Sequence, residues 1–234
     1  LGREGVPPAA LIAKGREEVR SYGGEVLDGR VARVIRGDDD RFRVELVGGN
    51  SIVARRVLAA TGLVDELPDI DGLAERWGRD VIHCPFCHGF EFRDRAIVQV
   101  ITHPMGLHPT GLLRQLTARL TLVLHDDVDV APAELDALRA AGVEILRDQV
   151  RRIVSDDEGD LWGVELAGGR LVPADAVAIG PRFRVRAEPF ASLRLRTAPH
   201  PTGLGDVIEA DATGATAVPG LYAAGELACV PHNY

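Results

Sequence analysis

The apolar positions of the chain fall into segments that predict alternating helices and strands. The segment between Pro8 and Gly23 predicts a helix, because proline suits the first helical turn and glycine suits the end. The apolar runs AIVQVI at 96–101 and LTLVL at 120–124 predict buried parallel strands. A leucine-rich helical stretch lies between them, so this region predicts a βαβ unit of the dinucleotide-binding type.

The same order of elements occurs twice: helix, short strand, β-hairpin and buried strand. Two generic hairpins with Gly-Gly turns are the alternative explanation. Agreement in order and spacing over about forty residues favours an internal duplication. The matching segments are VRSYGGEVL at 19–27 with LRAAGVEIL at 138–146, VELVGG at 44–49 with VELAGG at 164–169, and VLAATG at 57–62 with AVAIG at 176–180.

The duplication predicts an α/β fold with two Rossmann-like domains of three-layer ββα type, the second inserted in the first. We expect the first domain to comprise residues 1–78 and 186–234, and the second residues 79–185. The first copy has no βαβ unit ahead of it, so we expect such a unit of about thirty residues to be missing before Leu1. That unit would carry the G-x-G-x-x-G turn that holds a pyrophosphate.

Composition narrows the class of partner. Hydrophobic residues make up 46% and charged residues 26% of the 234 residues, as in ordinary globular proteins. The formal net charge of −8 argues against nucleic acid and anionic membranes as partners. No apolar run approaches the roughly 18 residues of a membrane span, and no export leader is visible. We therefore expect a cytoplasmic protein.

The segment HCPFCHG at 83–89 contains the most informative candidate catalytic residues of the chain. The thiols of Cys84 and Cys87 are spaced to close a disulfide ring across one helical turn, and an exposed thiol in such a motif is often activated. His83 and His88 flank the pair and can move protons near neutral pH. Dithiol redox chemistry, metal binding and haem attachment all use such clusters.

Three motifs in order resemble one family. ATG at 60–62 ends the first apolar strand, the dithiol follows, and VPGLYAAGE at 218–226 lies near the end of the chain. This order resembles the FAD-dependent pyridine nucleotide-disulfide oxidoreductases, in their thioredoxin-reductase-like branch. The resemblance implies FAD as cofactor. The cofactor-binding residues that it implies are Ala60, Thr61, Gly62, Gly225 and Glu226.

The resemblance also implies roles at the dithiol. Cys87 would face the flavin and Cys84 would exchange with the substrate disulfide. His88 stands where thioredoxin reductases proper carry aspartate, and it would be the acid and base for the departing thiol. The CxxCHG variant looks more like relatives that act on small-molecule dithiols. We expect a small dithiol or disulfide, or a thioredoxin-like protein, as partner, and a homodimer.

The second nucleotide site departs from the family pattern. Pro104 and Pro109 remove backbone donors from the turn that would cradle phosphate. The carboxylates of Asp126 and Asp127 follow the next strand, where an NADPH enzyme would place arginines. NADPH is therefore not expected and NAD is unsupported. Oxygen or a ferredoxin would then be the electron partner.

Haem attachment and zinc binding are less well supported by the sequence. A c-type haem requires export, and a zinc site with four ligands in six residues rarely forms a tetrahedron. We therefore expect no metal ligands. The serious alternative is a non-catalytic remnant of the fold that acts as a redox-sensing or interaction module.

Overall fold

The computed structural model describes residues 5–200 and 203–229. Residues 1–4, 201–202 and 230–234, which the predicted first domain includes, lie outside this range. No helix in the described part has both the length and the apolar content to cross a membrane. The chain starts with helix α1 (Pro8–Ser21) and the strands β1 (Val31–Arg36), β2 (Phe42–Leu46), β3 (Ser51–Ala54), β4 (Val57–Ala59) and β5 (Leu63–Glu66).

The middle of the chain forms a parallel five-stranded sheet. The elements of this middle part of the chain are β6 (Val81–Ile82), α2 (Pro85–His88), β7 (Ile97–Ile101), α3 (Thr110–Leu116), β8 (Leu120–Leu124), α4 (Pro132–Ala140), β9 (Glu144–Arg147), β10 (Val150–Ser155), β11 (Leu161–Leu166), β12 (Leu171–Pro173) and β13 (Ala176–Ile179). The sheet has the order β6-β13-β7-β8-β9. Strands β7 and β8 pair in parallel across α3, which confirms the predicted βαβ unit.

The chain then returns to the first domain. The returning elements are β14 (Arg182–Val185), β15 (Thr197–Pro199), β16 (Asp206–Glu209), β17 (Leu221–Ala223) and β18 (Ala228–Cys229). Strand β14 pairs antiparallel with β5, so the two chain segments that connect the domains lie side by side. Strand β17 pairs in parallel with β4.

The predicted duplication is confirmed by the registers of two hairpins. Arg33 on β1 lies opposite Glu45 on β2, and Arg152 on β10 lies opposite Glu165 on β11. The guanidinium Nε donates to the carboxylate in both copies, at 2.6 and 2.7 Å. Each first strand also has a register shift just before that arginine.

Each domain has apolar cores that follow from this layering. In the second domain, Val98 and Val100 pack toward the hairpin β10–β11, whereas Ile97 and Ile101 pack with the residues of α3 and α4. Both faces of the sheet are therefore covered, as the continuous apolar runs predicted. In the first domain, Phe42 of β2 packs with residues of β4 and β17.

Several apolar side chains of the first domain are exposed. Helix α1 buries none of its residues. Leu11 is 48% and Ile12 is 60% exposed on this helix, and Leu58 of β4 is 61% exposed.

Candidate active site

The dithiol lies at the start of α2, directly after β6. Cys84 immediately precedes the helix, and Pro85 occupies its first turn, where no backbone hydrogen bond is lost. The backbone N–H groups of Cys87 and His88 both donate to the carbonyl of Cys84, at 3.2 Å. These bonds fix the two sulfur-bearing residues on one turn of chain.

The two thiols differ in acidity. Burial raises the pKa of Cys84, but hydrogen bonds from the Cys87 thiol and from the N–H groups of Cys87 and Phe86 bring it below the ordinary thiol value. The pKa of Cys87 is raised because its thiol donates to Cys84, because it is partly desolvated, and because Cys84 and Glu226 are negative. Cys84 is therefore the more readily ionised sulfur, and Cys87 holds its proton.

The turn rests on α3 through Gly89, a contact that the sequence reasoning missed. Gly89 is buried, and a Cβ atom there would lie 2.6 Å from Cδ1 of Leu116 and 3.4 Å from Cβ of Pro85. A larger residue would push the turn away from α3. The glycine directly after His88 was the only sequence signal for this contact.

The two flanking histidines lie in different surroundings. His88 is exposed, and its imidazole makes no hydrogen bond to any residue in the described ranges. The His83 ring instead packs edge-on against the ring of Phe183, with the centroids 5.6 Å apart and the planes at 64°. A chemical role was predicted only for His88, yet His83 is the one with a defined ring contact.

The predicted flavin residues lie at one edge of the first domain. Ala60, Thr61 and Gly62 follow β4, and Gly225 and Glu226 follow the neighbouring parallel strand β17. The Ala224 N–H donates to the carbonyl of Ala59 at 3.0 Å, which joins the two turns. Carboxyl ends of adjacent parallel strands are where α/β folds bind dinucleotides.

Separate cavities open beside the two turns. A cavity of about 630 Å³ is lined by Thr61 and Arg186, and another of about 500 Å³ is lined by Gly225. Both Gly62 and Gly225 have positive φ, +69° and +85°, so the backbone turns sharply where it would approach a ligand. The residues present therefore fit part of a dinucleotide. The Thr61 hydroxyl itself donates to the carbonyl of Arg186 at 2.9 Å, so it holds the first domain's two segments together.

The dithiol and this edge meet at Glu226. The Glu226 carboxylate contributes to the raised pKa of Cys87. Burial lowers the pKa of His83, against the opposing effect of Asp65 and Glu226. Cys87, His83 and Glu226 therefore share one site, whereas His88 lies outside these interactions.

In the turn after β7, backbone N–H groups donate to acceptors within the same turn. The Gly106 N–H donates to the carbonyl of His103 at 2.8 Å, and the Met105 N–H donates to the His103 Nδ1 at 3.2 Å. The buried Gln99 amide donates to the Gly106 carbonyl at 2.8 Å. Two N–H groups that could face a phosphate are thus used inside the turn.

The acidic segment after β8 lines a small pocket of about 290 Å³. Its lining residues are Asp126, Asp127, Arg147, Asp148 and Gln149. The side-chain amide of Gln149 donates to Asp126 at 2.9 Å. Three carboxylates against one arginine disfavour a phosphate group here. Within residues 5–200 and 203–229, this pocket included, no three His, Cys, Asp or Glu side chains are grouped to hold a metal ion.

Fold and dithiol together define a class, the oxidoreductases of dinucleotide-binding architecture. The chain belongs to the pyridine nucleotide-disulphide oxidoreductase family, whose model matches residues 4–234. Membership in this family implies flavin binding. The resemblance inferred from the three motifs is thereby confirmed, and so is the α/β fold with Rossmann-type domains.

Named relatives include thioredoxin reductase sirT of Leptosphaeria maculans, 29% identical over 211 residues, with 85% of this chain and 63% of that protein matched. The solved structure of HlmI is 40% identical with a TM-score of 0.84, over 97% of this chain and 70% of HlmI. An oxidoreductase from Agrobacterium tumefaciens is 31% identical with a TM-score of 0.86, over 97% and 75%. The chain thus spans between three fifths and three quarters of these relatives.

Proposed function

We propose that the chain is the dithiol-bearing part of an FAD-dependent thiol/disulfide oxidoreductase that uses Cys84 and Cys87. The observation that carries the proposal is the geometry of the pair: Cys84 directly precedes α2, and the Cys87 thiol and two backbone N–H groups of that turn donate to the Cys84 sulfur. A nucleophilic thiolate next to a proton-holding second thiol is the arrangement that disulfide exchange requires.

The exchange with a disulfide substrate takes two displacements. The Cys84 thiolate attacks one sulfur of the substrate, forms a mixed disulfide and releases the first substrate thiolate. Cys87 then gives up its proton and attacks the Cys84 sulfur. The second substrate thiolate leaves, and the Cys84–Cys87 disulfide forms. The substrate gains two electrons and two protons, and the protein dithiol loses two electrons. Oxidation of a substrate dithiol is the reverse.

His88 supplies or accepts the proton on the departing thiol in this proposal. Its exposed imidazole is adjacent in sequence to Cys87 and open to a substrate approaching from solvent. An exposed imidazole without a hydrogen bond to the described residues is available to a thiol of a bound substrate.

Flavin would be held by the turns after β4 and β17, through Ala60, Thr61, Gly62, Gly225 and Glu226. FAD, when bound, exchanges two electrons with the protein dithiol. The shared neighbourhood of Glu226 and Cys87 supports this placement. Cys87 is thus the sulfur directed to the flavin edge, and Cys84 is left for the substrate.

Electrons would not come from NAD(P)H at the second domain. The closed turn at 103–106 and the acidic segment at 126–127 support this part of the proposal. Oxygen or a ferredoxin serves as electron partner instead. The substrate is a small dithiol or disulfide, or a thioredoxin-like protein, and the enzyme acts as a cytoplasmic homodimer.

Trapping the mixed disulfide tests the proposal without any flavin. The reduced Cys87→Ser protein is mixed with hydroxyethyl disulfide and analysed by intact and peptide mass spectrometry. We expect a stable adduct on Cys84 in Cys87→Ser, and none in the wild type, where Cys87 resolves it. The Cys84→Ser protein is the matched control and should react at least about tenfold more slowly. Equal rates of adduct formation in both variants would refute the assigned roles.

A further inference from the structure

His83 lies where three parts of the molecule meet. It directly precedes Cys84 on the dithiol turn. Its ring contacts Phe183 on β14, one of the two strands that connect the domains. Asp65 lies opposite Phe183 in the β5–β14 pair, and its carboxylate acts on the His83 imidazole together with Glu226 at the flavin edge.

Phe183 is itself firmly placed. Its N–H donates to the carbonyl of Leu204 at 2.6 Å, and it forms a parallel bridge with Gly205. Gly205 has φ +153°, and a Cβ atom there would lie 2.9 Å from Cβ of Phe183. Only glycine allows the 203–205 segment to lie this close to β14. Phe183 is thus held in place on β14 by the 203–205 segment.

The geometry of the two rings is that of a specific contact. A centroid separation of 5.6 Å at 64° falls within the range of edge-to-face aromatic pairs. His83 is an exposed residue, although partial burial lowers the pKa of its imidazole, so it does not serve as core filling. Its ring contact is with the strand pair, through Phe183.

We propose that His83 is a positioning residue that holds the dithiol turn against the β5–β14 strand pair, so that Cys87 stays directed to Glu226 and the flavin-binding edge. The consequence for flavin rests on the proposed function, but the contact itself does not. Loss of the His83 ring would let the turn move as one unit away from Glu226. Cys84 would keep its bonds from Cys87, while Cys87 would lose the effect of the Glu226 carboxylate.

Site-resolved alkylation tests this directly. Reduced protein is treated with iodoacetamide over a range of pH, and the rates at Cys84 and Cys87 are read separately by peptide mass spectrometry. In His83→Leu we expect the Cys87 rate to rise about threefold or more at neutral pH, with the Cys84 rate unchanged. In His83→Phe, which keeps an aromatic ring against Phe183, we expect both rates within about twofold of wild type.

Further variants distinguish loss of the His83–Phe183 contact from a general loss of structural stability. His108→Leu removes an exposed imidazole from the turn after β7 and should change neither rate. Phe183→Leu removes the other ring and should reproduce His83→Leu; it also replaces that variant if His83→Leu does not fold. An unchanged Cys87 rate in His83→Leu and Phe183→Leu would overturn the proposal, as would equal acceleration in His83→Phe. Because alkylation needs neither flavin nor substrate, these results stand whether or not the redox function fails its own test.

Discussion

Cys84 and Cys87 carry the same group but have different reactivities, because one accepts hydrogen bonds and the other donates. The backbone N–H groups of Phe86 and Cys87 turn toward the Cys84 sulfur, since Cys84 stands just before the helical turn. Of the two thiols, only Cys87 is affected by Glu226, which lies in the returning segment of the chain. The proposed division of labour between nucleophile and resolving thiol thus depends on a turn of four residues and one carboxylate.

Removing the donor thiol should make Cys84 less acidic. In Cys87→Ala the side-chain hydrogen bond to the Cys84 sulfur is lost, so we expect the pKa of Cys84 to rise toward the ordinary thiol value. The thiolate absorbance or the iodoacetamide rate against pH measures this, in a Cys229→Ala background that leaves one thiol. The wild-type midpoint should lie lower than that of Cys87→Ala. A midpoint that does not move would show that the backbone donors alone set the acidity.

Sequence alone predicted the residue types of the site but not their contacts. Cys84 and Cys87 are recognisable because redox dithiols need that spacing. The contact of His83 with Phe183 joins residues one hundred positions apart, and the bond of Thr61 to Arg186 spans 125. No local pattern encodes such pairs, so His88 was ranked above His83.

At the scale of elements, the dithiol turn is held by packing on α3. The half-buried Leu116 lies under Gly89, while α3 itself packs into the core below the parallel sheet. The orientation of the turn therefore depends on a helix that carries none of the proposed chemical groups. A glycine at this point lets the turn rest on the helix without a side chain between them.

Gly89→Ala should destabilise the protein by about 1 kcal/mol, which is the lower end of the range for overpacked cores. The cost is small because the atom that the new methyl group meets, Cδ1 of Leu116, is the end of a flexible side chain. Thermal or urea unfolding measures the change. Gly111→Ala on α3 has no atom within 4 Å of the added methyl and should be neutral or stabilising. In a Leu116→Ala background the cost of Gly89→Ala should vanish. A full cost in that background would place the clash elsewhere.

Local periodicity explains which elements were predictable. Helix α1 and the strands β7 and β8 appear where the apolar pattern predicted them, and the duplicated hairpins share one register. The pairing of β5 with β14 was not foreseen, because it joins segments 118 residues apart through alternating charged and apolar positions. The domain boundaries at residues 78–79 and 185–186 stay a prediction.

At the scale of the whole molecule, the proposed chemistry comes from two parts of the chain. One part carries the turns after β4 and β17, and the other carries the dithiol. The chain also spans only part of the length of its relatives, and the activity of the whole protein is a proposal built on the geometry of this part.

Anaerobic reduction of the FAD-loaded protein by dithiothreitol tests the central claim most directly. The visible absorbance of the flavin is followed in wild type, Cys84→Ser and Cys87→Ser. If the Cys84–Cys87 pair passes electrons to the flavin, the wild-type flavin bleaches, and either variant bleaches more slowly by about a hundredfold or more. Bleaching at the wild-type rate in either variant, or a wild-type flavin that stays oxidised, would contradict the account.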